Sequence, residues 1–291
     1  MALLEGKVAI ITGAGGGLGR AHAHALAREG AAIVVNDLGG SVDGKGAATT
    51  MADAVVQEIR DAGGNAIANH GNVTVAEDAQ GMVDAAVQEF GRLDILINNA
   101  GILRDKSFKN MTEDLWDPVV AVHLKGTYQP TRAAYLHMVE AGNGGRIIMT
   151  SSTSGLIGNF GQTNYGAAKA GIAGFMRCLA IEGVKAGITV NVLAPNAYSR
   201  MTASLFPEGS EERFAPEKVS PAIAWLCSDE AADITGRQFV ISGNRVTLLY
   251  PAGHQIADKA EGKWEASEIG QKIRESMADW PEAATVPKLI F

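Results

Sequence analysis

Short runs of apolar, β-branched residues recur along this chain with a helical pattern between successive runs, and that alternation leaves few folds open. The runs are Val8–Thr12, Ala32–Asp37, Ala66–Asn69, Leu93–Asn98, Arg146–Ser151, Thr189–Ala194 and Gln238–Ile241. Strand followed by helix, repeated, needs crossover connections and therefore parallel strands. Ala9-Ile10-Ile11, Ile33-Val34-Val35 and Ile95-Leu96-Ile97 are apolar without interruption, as strands covered on both faces must be. The expectation is an α/β fold: a doubly wound parallel sheet of about seven strands with helices on both faces.

With 291 residues, 46% of them hydrophobic, and no Pro/Gly/Ser linker, residues 1–291 are expected to form a single domain. Two stretches depart from the strand–helix rhythm. One is the Gly-rich loop from Leu38 to Gly46. The other, residues 245–291, carries Trp264, a helical stretch around Glu265 to Met277, and Trp280. It reads as a C-terminal extension packing on the body or on a neighbouring subunit, a structural arm in preference to a lid.

A formal charge of −7 with scattered acidic residues offers no basic face, which argues against nucleic acid and membrane-surface partners. The start, Met1 to Lys7, lacks a signal-peptide pattern and Val8 to Ile11 is too short to span a bilayer, so a cytoplasmic location is expected. Cys178 and Cys227 lie in apolar helix-like segments and read as small buried thiols. His22 and His24, two apart on a helix, diverge by about half a turn and have no third ligand nearby; packing of that helix, not metal binding, is the reading.

Directly after the first strand comes Thr12-Gly13-Ala14-Gly15-Gly16-Gly17-Leu18-Gly19, running into an Ala-rich helix that begins near Leu18. Glycines let a backbone turn tightly and approach a ligand, and the helix start presents free N–H groups and positive potential to phosphate. Gly13, Gly17 and Gly19 give G-x-x-x-G-x-G; the commoner G-x-G-x-x-G fails, since its last glycine would fall on Leu18 or Arg20. Placed between a buried strand and a helix, the cluster implies a Rossmann-like dinucleotide site. Asp37, at the end of the second strand, can accept hydrogen bonds from the adenosine ribose and repel a 2'-phosphate. That favours NAD over NADP. The plainer alternative makes Asp37 a turn former beside Gly39-Gly40.

Tyr165 and Lys169 stand four apart at the head of a helix, on one face. A free tyrosine titrates near pH ~10; a fixed cation beside it favours phenolate and makes the phenol usable as a base. Ser152 follows the run Arg146 to Ser151, where its hydroxyl can polarise a substrate oxygen. A lone Y-x-x-x-K is common by chance, and the glycine loop, Asp37 and Ser152 give it weight.

Together, T-G-x-x-x-G-x-G at Thr12 to Gly19, Asn98-Asn99-Ala100-Gly101, Ser152, and Tyr165 to Lys169 resemble the short-chain dehydrogenase/reductase superfamily, from about Lys7 to Gly243. The family's serine lies thirteen residues before its tyrosine, which selects Ser152 over Ser151 and Ser154. The resemblance implies that Asn99, Ala100 and Gly101 line the adenosine side and that Asn72 and Val73 flank adenine, although Asp is commoner where Asn72 stands. It implies that Lys169 positions the nicotinamide ribose and that the segment from Pro195 meets the nicotinamide, through Ser199 in preference to Thr202. His123 stands where the family usually has a proton-relay asparagine; it either replaces that residue or packs. A homodimer or homotetramer is implied as well.

A narrower resemblance lies in Val35 to Gly40, Gly101 to Asp105, Gly158 to Gln162, and Ala194 to Ala197. These are similar to the dehydrogenase domain of the peroxisomal multifunctional enzyme type 2 group and its single-domain bacterial relatives. It implies a small-molecule substrate, a (3R)-3-hydroxyacyl-CoA thioester, with a hydroxysteroid or other bulky alcohol as the enzymatic alternative. An NAD-binding scaffold is the alternative outside enzymes.

Overall fold

The computed structural model describes residues 2–41, 43–44, 50–199, 202, 206–253, 255–258 and 263–280. Among the described residues eight strands form one sheet: β1 (Val8–Thr12), β2 (Ala32–Asn36), β3 (Ala66–Asn69), β4 (Ile95–Asn98), β5 (Gly145–Thr150), β6 (Ile188–Asn196), β7 (Gln238–Ser242) and β8 (Arg245–Leu249). Their order is β3-β2-β1-β4-β5-β6-β7-β8, parallel throughout except for β8, which pairs antiparallel to β7. The helices are α1 (Gly17–Arg28), α2 (Thr50–Asp61), α3 (Ala76–Phe90), α4 (Glu113–Val120), α5 (Gly126–Ala141), α6 (Thr153–Leu156), α7 (Thr163–Gly183), α8 (Ser220–Leu226) and α9 (Ala266–Ser276).

Side chains alternate between two cores, as the period of two in a strand requires. From β1, Ala9 and Ile11 enter one core with Ile33, Val35, Ile95 and Ile97, covered by α1, α2 and α8. Val8 and Ile10 enter the other with Val34, Leu96 and Ile147, covered by α3, α5 and α7. This two-sided burial is why these strands read as unbroken apolar runs.

The eighth strand adds to the expected seven. Residues 245–249, read from the sequence as the start of the extension, instead extend the sheet as its edge, with Ser242 opposite Arg245 across the turn Gly243-Asn244. Further on, α9 has no buried residue. Gly46, Arg200, Met201 and residues 281–291 lie outside the described residues. Cys227 is buried, and burial pushes its thiol up to about 12, whereas Cys178 is exposed on α7, contrary to the sequence reading. His22 reaches the Ser220 hydroxyl at 2.8 Å and His24 reaches Glu58 at 2.8 Å, both joining α1 to its neighbours. Among the described residues no helix is long and apolar enough to cross a membrane.

In open sheets of this kind the ligand crevice forms at the carboxyl ends of the strands where their order reverses. Here that point lies between β1 and β4.

Candidate active site

The turn after β1 is bound on three sides. Thr12 Oγ1 accepts the N–H groups of Asn99 and Ala100 at 3.0 and 3.1 Å, and Asn99 Nδ2 donates to the carbonyls of Thr12 and Gly13 at 3.0 Å. Gly13 has φ +64, and a Cβ there would stand 2.7 Å from Ala100 Cα. At Gly19 a Cβ would strike the Gly13 carbonyl oxygen and lie 2.6 Å from Asn99 Nδ2. The missing side chains therefore let the turn close tightly on Asn99 and Ala100 ahead of α1, whose N-terminal N–H groups supply a positive end.

Asp37 follows β2, and its carboxylate accepts Gly15 N at 2.8 Å and Gly39 N at 2.7 Å. An ionised carboxylate has lone pairs beyond those two for further donors. Asn72 is partly committed: its Oδ1 accepts both N–H and hydroxyl of Thr74 at 2.9 Å, which leaves its amide nitrogen to present. Val73 is buried against Gly126, where a Cβ would come 2.7 Å from Val73 Cγ2. Ser199 stands over the glycine turn, its Cβ 3.8 Å from the position a Cβ would take at Gly17. The Thr202 hydroxyl donates to the Ala197 carbonyl at 2.6 Å, so in its 3.1 Å contact with Thr202 the Ser199 hydroxyl is the donor and presents its lone pairs outward. Pro195 lies near the end of β6, opposite Ile241.

Ser152 caps α6, and its Oγ accepts Ser154 N at 3.2 Å. Tyr165 and Lys169 project from the first turns of α7, with Lys169 Nζ 5.4 Å from the Tyr165 ring centroid. Lys169 Nζ donates to the Thr150 carbonyl at 2.6 Å, and the Lys169 carbonyl accepts the Ser151 hydroxyl at 2.8 Å. The end of β5 thus holds the lysine from two directions.

The electrostatics differ from the sequence expectation. Burial pushes the Tyr165 phenol up to about 12, with the Ser152 hydroxyl pulling the other way and the Asp105 carboxylate adding to the rise. Burial also brings the Lys169 ammonium down to about 7. Desolvation penalises both charged forms, and in the protein alone it outweighs the attraction that the four-residue spacing suggests.

His123 lies in a π-helical turn, Ala121–Lys125, between α4 and α5. Such a turn inserts an extra residue into a helix and redirects its faces. The imidazole is buried edge-on to Tyr165, with ring centroids 5.0 Å apart and planes at 85°. Burial and the Lys169 charge hold it well below its ordinary value, hence neutral. Nε2 lies 2.8 Å from the Ile102 carbonyl, its shorter contact with that residue, so this nitrogen is assigned the proton and Nδ1 the lone pair. Nδ1 is buried without a hydrogen-bond partner among the described residues. Gly101 makes the imidazole possible, because a Cβ there would overlap the ring.

The fold thus brings Ser152, Tyr165, Lys169 and His123 together beside the turn that carries Gly13, Gly17, Leu18 and Gly19. Sequence reasoning missed the polar chain Asp105–Gln162–Ser154. Gln162 Nε2 donates to Asp105 Oδ2 at 2.6 Å, and Gln162 Oε1 accepts the Ser154 hydroxyl at 2.6 Å. The segments Gly101 to Asp105 and Gly158 to Gln162 stood out in the sequence, but nothing in their spacing assigned them chemistry.

Residues 7–208 match the family described as short chain dehydrogenase. The chain belongs to that family. It is an oxidoreductase acting on CH–OH groups. This dehydrogenase is 49% identical over 255 residues to a short-chain type dehydrogenase/reductase of Mycobacterium tuberculosis, covering 88% of each chain. It is 51% identical over 232 residues to the peroxisomal multifunctional enzyme type 2 of Mus musculus, covering 80% of this chain but only 31% of that protein. A hydroxyacyl-CoA dehydrogenase of Mycobacterium tuberculosis is 38% identical over 289 residues, 94% of this chain and 90% of its own.

Among solved structures, a short chain dehydrogenase from Mycobacterium avium superposes with a TM-score of 0.86 at 41% identity, covering 98% of this dehydrogenase and 99% of its own chain. A short chain dehydrogenase from Mycobacterium paratuberculosis bound to NAD gives 0.75 at 28% identity, covering 82% and 97%.

Proposed function

We propose that this dehydrogenase oxidises the 3-hydroxyl of a (3R)-3-hydroxyacyl-CoA thioester to the ketone with NAD, and runs in reverse on the 3-ketoacyl thioester. The observation that carries the substrate class is the likeness to a hydroxyacyl-CoA dehydrogenase along nearly the whole chain. The (3R) configuration rests on the resemblance to the multifunctional-enzyme dehydrogenases.

The residues fit NAD. Gly13 and Gly19 let the turn ahead of α1 close tightly, a Cβ at Gly17 would meet, among the described residues, only Ser199 within 4 Å, and the Asp37 carboxylate is bonded to Gly15 in the same turn. Gly17, Leu18, Asn72, Val73, Asn99, Ala100, Gly101, Pro195 and Ser199 would border the rest of the cofactor. When bound, NAD supplies the acceptor for the hydride. Tyr165 Oη takes the proton of the substrate hydroxyl and returns it in the reverse reaction. Ser152 Oγ hydrogen-bonds the substrate oxygen, while Lys169 stabilises the phenolate and positions the ribose. His123, neutral and with Nδ1 free, can accept a hydrogen bond from a relay water.

The test is NADH formation from matched (3R)- and (3S)-hydroxyacyl-CoA pairs, with a hydroxysteroid alongside. Turnover of the (3R) thioesters at least tenfold above the (3S) forms is expected. Silence on both thioesters with steroid turnover would move the substrate to bulky secondary alcohols. NAD binding without turnover of any alcohol would leave a cofactor-binding scaffold.

Asp37 makes a second expectation. A negative charge near the ribose opposes a 2'-phosphate through a like-charge repulsion that falls away when the charge is removed. Asp37→Asn is expected to raise the NADP-to-NAD ratio of kcat/KM on the order of tenfold or more. An unchanged ratio would remove Asp37 from cofactor selection.

A further inference from the structure

Asp105 and Gln162 come from loops far apart in the chain, one after β4 and one ahead of α7. A short bridge joins the loops: Lys106 pairs with Gln162, and Lys106 N donates to the Gly161 carbonyl at 2.8 Å. Next to this bridge the side chains form a directional chain. The Asp105 carboxylate can only accept when ionised, so it takes Gln162 Nε2–H at 2.6 Å and fixes which way the buried amide points. Gln162 Oε1 is thereby aimed at Ser154 Oγ at 2.6 Å and Asn159 Nδ2 at 3.1 Å. The Ser154 hydroxyl must then donate to Gln162, while its backbone N–H donates to Ser152 Oγ at 3.2 Å. The Ser152 hydroxyl in turn lowers the Tyr165 phenol's affinity for its proton.

We propose that Asp105 is a positioning residue for the reaction: through Gln162 and Ser154 it fixes the turn that presents Ser152. The proposal rests on the assignment of Ser152 and Tyr165 above.

Two variants separate orientation from charge. Asp105→Asn keeps an acceptor for Gln162 and removes the charge; Asp105→Ala removes both. Steady-state oxidation of a (3R)-hydroxyacyl-CoA by the purified full chain is the first readout. Asp105→Asn should keep kcat within about threefold, because the amide oxygen still accepts from Gln162. Asp105→Ala should lose about tenfold in kcat with KM for NAD unchanged. Equal kcat in the two variants, or a KM for NAD that rises along with the fall in kcat in Asp105→Ala, would overturn the proposal.

A second readout needs no substrate. Fluorine NMR of the chain grown with 3-fluorotyrosine, with Tyr165 assigned by its loss in Tyr165→Phe, reports the phenol's surroundings directly. The Tyr165 resonance should move in Asp105→Ala and stay close to its original position in Asp105→Asn, and equal shifts in the two variants overturn the proposal. If the thioesters are not turned over at all, the assigned function fails while this measurement still decides the role of Asp105.

Discussion

Tyr165→Phe is expected to lower kcat for alcohol oxidation about a thousandfold or more while leaving NADH affinity within about threefold. The change removes one oxygen. The ring stays, and with it the edge-on contact to His123 at 5.0 Å and the packing at the head of α7. What goes is the hydroxyl proposed to take the substrate proton, and proton transfer by a positioned side chain is worth roughly a hundred- to ten-thousandfold. The pH dependence has a definite sign. Oxidation needs phenolate, so its rate falls as pH drops through the operative phenol pKa; ketone reduction needs phenol and is lost as pH rises. Because burial pushes that phenol up, to about 12 in the protein alone, oxidation should be favoured on the alkaline side. Initial rates in both directions across pH, with NADH fluorescence titration as the binding control, check this. A variant with near-normal turnover would remove Tyr165 as the base.

Gly19→Ala is expected to weaken NADH binding about a hundredfold and to cost on the order of 1–3 kcal/mol of stability. The added carbon would meet the Gly13 carbonyl oxygen, the Asn99 amide and Ala14 Cα at 2.8 Å, two of them backbone atoms that cannot rotate away. Relief requires moving the turn, and the turn is held by Thr12 and Asn99. Gly81, within α3, is the matched control, since a Cβ there meets nothing within 4 Å. Gly81→Ala should stabilise by about 0.5–1 kcal/mol, because glycine inside a helix costs backbone entropy. Fluorescence titration and chemical denaturation of both variants make the test; equal behaviour at the two positions would show that the glycine turn tolerates a side chain.

Much of this architecture could be read from the sequence because the relevant physics is local. Uninterrupted apolar runs gave β1, β2 and β4 and the covered sheet, and a glycine cluster between strand and helix gave the turn before α1. The edge strand β8 was also signalled: Gly243-Asn244 between two β-rich runs is a hairpin pattern. A reading built on strand–helix alternation passed over it. Other features depend on contacts distant in sequence. Spacing put Lys169 beside Tyr165 but could not say that both would be buried deeply enough for desolvation to dominate. The meeting of Asp105 with Gln162 depends on two loops being brought together, and the inward turn of His123 depends on a π-helical residue that no hydrophobic period marks. Cys178 sits in an apolar stretch yet faces out, because the direction of a helix face is set by what it packs against.

The strand order also describes how the sheet can be assembled during synthesis. β1 emerges first and becomes central; β2 and β3 add outward on one side, leaving its other edge bare until β4 arrives. From β5 onward every new strand joins the one made just before it. After that single return across the sheet, growth proceeds at one edge only, in the direction of translation, and each late strand needs only its immediate predecessor as a template. The last of them, β8, reverses direction through a two-residue turn and so can be added without a helix to carry the chain back.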